Sequence, residues 1–381
     1  MKVYLDNAAT TPLRKEVVEA MIPVMQNLYG NPSSIHGYGR EVRSVLEKAR
    51  KTVAALLHAA PSEIFFTSGG TEANNTAIRC TIHDHQIKHA ITSHIEHHAV
   101  THTLEDLEKL GQIKLSWIKI DDKGQVDYEH LEELLKINEK TFVSLMQANN
   151  EIGTVTDIER VGELCKKHNA VFHTDTVQTI GHFKHDLKKL HIDFLSCAAH
   201  KFHGPKGVGF LYINNRLKIS PFITGGAQER NMRGGTENVY GIVGLAKALE
   251  LAYAEMDDDK KYISELKQYM IARLKAEVPG VLFNGDISAD SLYTVLNVSF
   301  APHDSSEMML FNLDIAGIAV SGGSACSSGS NVGSHVLKGI GANPDRPSVR
   351  FSFSRYTTKE ELDFALEKLK EIIPAEMAEK K

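Results

Sequence analysis

Short apolar runs punctuate the first half of the chain at regular intervals. They span Glu63–Thr67, His89–Ser93, Lys114–Ile120, Thr141–Met146, Ala170–Asp175, Asp193–Cys197 and Val208–Ile213. Each has the length of a strand. Between several of them lie stretches with helical apolar periodicity, such as Ile158–His168. This alternation predicts an α/β fold with a mostly parallel sheet. After Gly241 the pattern changes. A long helical stretch is expected from Ile242 to Glu277, with an acidic break at Asp257-Asp258-Asp259. Two apolar runs follow, Tyr293–Phe300 and Ile315–Ser321, and then a loop of Gly and Ser. Ser348–Phe353 reads as a last strand and Lys359–Ile373 as a last helix. This part predicts a smaller α+β domain.

Composition narrows the class without naming it. The 381 residues are 42% hydrophobic and 24% charged, ordinary for a soluble globular protein and enough for two domains. A net charge of −5 gives no reason to expect nucleic acid or an anionic membrane as partner. No apolar stretch has the length of a membrane span. The start, Met1-Lys2-Val3-Tyr4-Leu5-Asp6, lacks the apolar core of a signal peptide. Four scattered cysteines, Cys80, Cys165, Cys197 and Cys326, form no disulfide framework or metal spacing. A cytoplasmic location is expected, since a reducing compartment keeps thiols free.

In open α/β sheets, ligands bind beyond the carboxyl ends of the strands, and the unusual polar residues of this chain follow strand ends. Thr67-Ser68-Gly69-Gly70-Thr71-Glu72 is a strand end, a Gly pair and a helix start. It suits a phosphate held by backbone N–H groups and the Thr71 hydroxyl, and equally an ordinary capped strand–helix turn. Asp175 ends an apolar strand, where a carboxylate calls for a cationic partner or caps the next helix. Lys201 follows another strand end. Burial there depresses an amine's pKa and fits it for Schiff-base chemistry, unless the side chain reaches solvent. Cys326 is flanked by Ser324-Ala325 and Ser327-Ser328-Gly329. That flexible setting suits a nucleophile better than a core filler. Cys80, Cys165 and Cys197 lie in apolar or helical contexts and are expected to be buried. His98 and His102 lie four apart and share a helix face, but no third ligand is evident and no metal is expected.

Phosphate cradle, buried Asp and strand-end Lys, in that order, are the three grips needed by pyridoxal 5'-phosphate. At this point the chain resembles the NifS-like cysteine desulfurases. The resemblance covers nearly its whole length. It rests on Tyr4-Leu5-Asp6-Asn7-Ala8-Ala9-Thr10-Thr11, Asn31-Pro32-Ser33-Ser34-Ile35-His36, Gly69-Gly70-Thr71-Glu72-Ala73-Asn74-Asn75 and Glu96-His97-His98-Ala99-Val100. It continues through Asn149-Asn150-Glu151-Ile152-Gly153-Thr154, His200-Lys201, Arg233-Gly234-Gly235-Thr236-Glu237-Asn238, Ser324-Ala325-Cys326 and Val349-Arg350-Phe351-Ser352.

The resemblance implies a pyridoxal-phosphate-dependent transferase of fold type I. A large α/β domain, residues 15–255, would carry a seven-stranded sheet. A small α+β domain, residues 1–14 and 256–381, would carry the cysteine loop. Lys201 matches the lysine that anchors the cofactor. His97 matches the ring-stacking, proton-moving histidine, and Asp175 the partner of the pyridine nitrogen. Gln178 matches the contact to the phenolic oxygen, with Asn150 close by. Gly70, Thr71 and His200 match phosphate contacts. Thr236 matches a phosphate contact supplied by the other subunit of a homodimer. Arg350, with Asn150 beside it, matches the clamp on the substrate carboxylate, and Cys326 the thiol that takes sulfur from L-cysteine as a persulfide. One departure stands out: many relatives carry a phosphate-binding Ser where this chain has Ala198. The long stretch from Cys326 to Arg350 resembles the subgroup that passes sulfur to acceptor proteins, such as iron–sulfur scaffolds or transfer-RNA thiolation proteins. The alternatives are a selenocysteine lyase, a small-substrate aminotransferase or a catalytically silent scaffold relative.

Overall fold

The computed structural model describes residues 1–137, 140–303, 305–322 and 333–373. Its strands, numbered along the chain, are β1 (Val3–Tyr4), β2 (Ile64–Thr67), β3 (His89–Thr92), β4 (Lys114–Trp117), β5 (Thr141–Ser144), β6 (Val171–Asp175), β7 (Phe194–Ala198), β8 (Gly209–Ile213), β9 (Leu282–Asn284), β10 (Val295–Ser299), β11 (Ile318–Ala319) and β12 (Ser348–Ser352). All seven runs expected in the first half form strands of one sheet, in the order β2-β8-β7-β6-β5-β3-β4. Only β8 runs antiparallel to its neighbours β2 and β7. Strands β5, β6 and β7 are buried at every position. That explains why they read as continuous apolar runs rather than as alternating ones.

Helices cover both faces of this sheet. On one side Val53, Leu57, Ile158 and Val161 pack with Ile91, Val143, Phe172 and Leu195. On the other, Ala77, Ile78, Val100 and Leu104 pack with Ala90, Phe142 and Phe194. A separate core forms around the three-stranded antiparallel sheet β12-β10-β9. It holds Leu296, Val298, Val349 and Phe351 with Leu362, Leu366 and Leu369 of the last helix, Lys359–Ile372. The short pair β1–β11 joins the N-terminus to this unit.

One helix, Val239–Glu277, serves both cores. Its first half buries Ile242, Leu245 and Leu249 against the large sheet. Its second half buries Ile263, Leu266, Met270 and Leu274 in the smaller core. The acidic triplet does not break it. Asp is only a moderately poor helix former, and two of the three charges have partners: Lys184 Nζ donates to Asp257 at 2.9 Å, and Arg355 pairs with Asp259.

A buried ion pair fixes the segment preceding this helix. Arg50 donates to both carboxylate oxygens of Glu229 at 2.7 and 2.8 Å, and the Phe66 N–H donates to the same carboxylate at 2.8 Å. Glu229, Arg230 and Asn231 all have positive φ, a conformation that side chains resist. The bidentate pair holds that turn in place. Removing one partner strands a buried charge, so Arg50→Ala should cost about 3–5 kcal/mol. Denaturant or thermal unfolding of the variant measures it. A loss below about 1 kcal/mol would mean the pair contributes no more than an exposed one.

Candidate active site

Parallel pairing places the polar strand-end residues along one edge. Asp175 is the last residue of β6 and pairs with Ser196 of the neighbouring β7. Two residues beyond Ser196, β7 ends and a single turn, Ala199–Lys201, brings Lys201 to the same edge. His97 follows β3 and caps the helix His98–Lys109, its Nδ1 accepting the Ala99 N–H at 3.0 Å. Gly70 follows β2 and begins the helix Gly70–Asn75. Asn150 lies beyond β5. Arg350 arrives from β12 of the other sheet.

These side chains meet in one cavity of about 250 Å³. Gly70, Thr71, His97, Asn150, Asp175, Gln178, His200, Lys201 and Arg350 all line it. Ala198, the position where the resemblance led one to expect a phosphate-binding hydroxyl, lines it too. Thr236 is not part of it. That residue lies in a separate groove with Ser68, Glu229 and Arg233. Cys326 lies outside the described residues.

Neutral donors hold the Asp175 carboxylate. Asn74 Nδ2 donates to one oxygen at 2.7 Å and the Val177 N–H to the other at 2.9 Å. Lys201 Nζ donates to the carbonyls of Ala8 and Ala9 at 2.5 and 2.9 Å. Gln178 Nε2 also donates to Ala8 O, at 3.1 Å. Arg350 is 1% exposed. Its Nη1 donates to Asn150 O at 2.9 Å and its Nη2 to Asp6 Oδ1 at 2.8 Å, while its buried Nε has no partner among the described residues.

Asn74, Ala8 and Asp6 belong to the motifs of the resemblance, which assign them no role. Asn74 carried a signal. It lies four residues after Gly70, which puts both on one helix face. Nothing in the spacing of Asp6 or Ala8 links them to residues near 200 and 350.

Burial dominates the titration of the site. It holds the His97 imidazole below its ordinary range, with Asp175 opposing and Lys201 reinforcing the shift. It lowers His200 to about 4, helped by Lys201 and Lys206. The neutral His97 ring accepts at Nδ1 and therefore carries its proton on Nε2. The described thiols are shifted the other way. Burial pushes Cys80 up to about 12 and raises Cys165 and Cys197 further above the thiol range. All three are buried, as the sequence suggested.

The rings of His98 and His102 stack at 4.4 Å, and His335 joins them at 4.1 Å from His98. Among the described residues no group of three His, Cys, Asp or Glu side chains is set to hold a metal ion.

Fold and site together define a class. The sequence profile of the class-V aminotransferases matches residues 3–364, and the chain belongs to that family, whose enzymes depend on pyridoxal 5'-phosphate. Within it, the chain belongs with the NifS-like cysteine desulfurases. It is 47% identical to cysteine desulfurase IscS of Dictyoglomus turgidum over 376 residues, covering 98% of this chain and 94% of that one. A putative cysteine desulfurase, IscS 1 of Bacillus subtilis, is 45% identical, with 98% of each chain covered. A solved NifS-like protein superposes with a TM-score of 0.90 at 40% identity, covering 98% of this chain and 99% of the other. Another solved relative, SspA in complex with cysteine, gives a TM-score of 0.82 at 32% identity, with 94% and 100% covered.

The residues present fit the cofactor. Gly69 sits at φ +152°, a region open in practice only to glycine. A Cβ on Gly70 would come within 2.6 Å of Val177 Cγ2. The two glycines therefore let the backbone close in as a cradle. Asp175, buried and held by neutral donors, is suited to a cationic ring nitrogen.

The acid side of the rate profile tests the state of His97. A lowered pKa keeps the ring neutral as pH falls, so the acid limb of kcat/KM should lie below about 6.5, the ordinary imidazole value. A limb centred at or above that value would contradict a neutral His97.

Proposed function

We propose that this chain is a pyridoxal-phosphate-dependent L-cysteine desulfurase that carries the released sulfur as a persulfide on Cys326. The observation that supports this most is the meeting of Lys201, His97, Asp175 and Arg350 around one cavity. When bound, the cofactor supplies an electron sink that makes the substrate α-carbon acidic. The residues divide the remaining work. Arg350 holds the substrate carboxylate through its planar fork. Asp175 keeps the ring nitrogen protonated. Lys201 anchors the cofactor and moves the α-proton. His97 moves a proton at the substrate thiol.

The Cys326 thiolate then attacks the substrate sulfur. An S–S bond forms, the C–S bond breaks, and its electron pair stays with carbon, which takes up a proton. L-Cysteine and a thiol thus become L-alanine and a persulfide, with no other oxidant or reductant.

The reading extends to the assembly and to the fate of the sulfur. The enzyme works as a homodimer in the cytoplasm and passes sulfur to an acceptor protein of iron–sulfur assembly or transfer-RNA thiolation. Large exposed apolar residues support a dimer face: Met25, Tyr29, Ile35 and Tyr38 are 58–88% exposed. The separate position of Thr236 supports a role toward a second copy. No helix among the described residues is long and apolar enough to cross a membrane.

Burial of the other three thiols makes the chemistry selective. Alkylation of the folded protein at neutral pH should label Cys326 alone. After L-cysteine, mass spectrometry should find one extra sulfur there, removable by a thiol reductant. Cys326→Ala should still bind L-cysteine yet release almost no alanine. Alanine formation at the wild-type rate would instead favour a lyase that acts directly.

Sedimentation across a dilution series tests the assembly. Thr236→Ala should weaken cofactor retention without splitting the dimer. A monomer with full cofactor and activity would refute the shared site.

A further inference from the structure

Arg350 is the largest fully buried side chain among the described residues, and three distant segments converge on it. Its Nη2 donates to Asp6 Oδ1 at 2.8 Å. The Ser321 hydroxyl donates to that same oxygen at 2.9 Å. Ser321 and Arg350 are themselves joined through their backbones by an antiparallel bridge. Residues 6, 321 and 350 therefore close a triangle around one carboxylate oxygen. The other end of the guanidinium is tied to Asn150 O. Among the described residues its buried Nε–H has no partner, and the side chain lines the cavity.

We propose that Asp6 is the positioning residue that fixes the Arg350 fork for the substrate carboxylate; this rests on the desulfurase reading above. A guanidinium holds a carboxylate well only when two of its N–H groups point the right way together. Free rotation about the last side-chain bonds would spoil that alignment. Asp6 prevents it with a charge-assisted bond on one nitrogen. Asp6 is itself restrained, because its backbone bridges to Ser352 two residues beyond Arg350. Its side chain is 19% exposed against 1% for that of Arg350. The pair thus sets a partly exposed anion against a buried cation, with the remaining N–H groups of the fork left for a ligand. The Asp6 side chain is not among those lining the cavity, so its effect should appear in recognition rather than in chemistry.

The test uses the holoenzyme and three variants. Asp6→Ala should raise KM for L-cysteine about tenfold, as expected for loss of a charge-assisted hydrogen bond. Its kcat should stay within about twofold and its bound cofactor should be retained. Affinity for cysteamine, the same amino thiol without the carboxylate, should be unchanged when titrated by cofactor absorbance. Asp6→Asn keeps an acceptor oxygen for both Arg350 and Ser321. It should recover most of the affinity, with KM raised about threefold. If Asp6→Ala does not fold, Asp6→Asn carries the same comparison of the two ligands. An unchanged KM for L-cysteine in the variants would overturn the proposal. Equal weakening toward L-cysteine and cysteamine would overturn it too, since that marks a general structural defect. Arg350→Ala separates the two levels. If it also leaves KM for L-cysteine unchanged, the desulfurase reading falls. If it raises KM while Asp6→Ala does not, only the role of Asp6 falls.

Discussion

Parallel pairing of β5, β6 and β7 is the constraint on which the site depends. Parallel strands keep their carboxyl ends on one side of the sheet. The register Asp175↔Ser196 then leaves Lys201 one short turn from Asp175 along that edge. The same edge receives Gly70 after β2, His97 after β3 and Asn150 after β5. None of these residues needs a long or strained connection to reach the cavity. The helices on both faces keep the strands dry, and a dry sheet edge makes each charge there costly unless it is matched.

That cost shapes the chemistry. Asp175 is held by an amide and a backbone N–H, which leaves it fit to meet a positive charge. Burial holds the imidazole of His97 below its ordinary range, so the ring is neutral at neutral pH. Burial also disarms three of the four cysteines by raising their thiol pKa. A low-dielectric interior thus readies some groups and silences others, with no change of residue type.

The second sheet contributes through a long lever. The helix Val239–Glu277 buries one half in each core, so the two sheets share a rigid element. Strand β12 is thereby held where Arg350 reaches the Asn150 carbonyl and the N-terminal Asp6. The Arg350 guanidinium is thereby tied, through Asn150, to the sheet that carries Lys201.

Much of this was legible in the chain. Apolar run length gave the seven strands, because a strand buried on both faces has no room for polar alternation. The glycine pair and the strand-end polar residues marked positions that line one cavity, because a polar group at a dry strand end is costly unless it is matched; Cys326 lies outside the described residues. The acidic triplet misled as a helix break, since its partners, Lys184 and Arg355, lie far off in sequence. The tertiary structure alone decided three things. It set the parallel register that brings Asp175 to Lys201, joined Asn74 to Asp175, and closed the contact of Asp6 and Ser321 with Arg350. Each is a pairing of groups remote along the chain, and hydrogen bonds act over a few ångströms of space, whatever the distance in sequence.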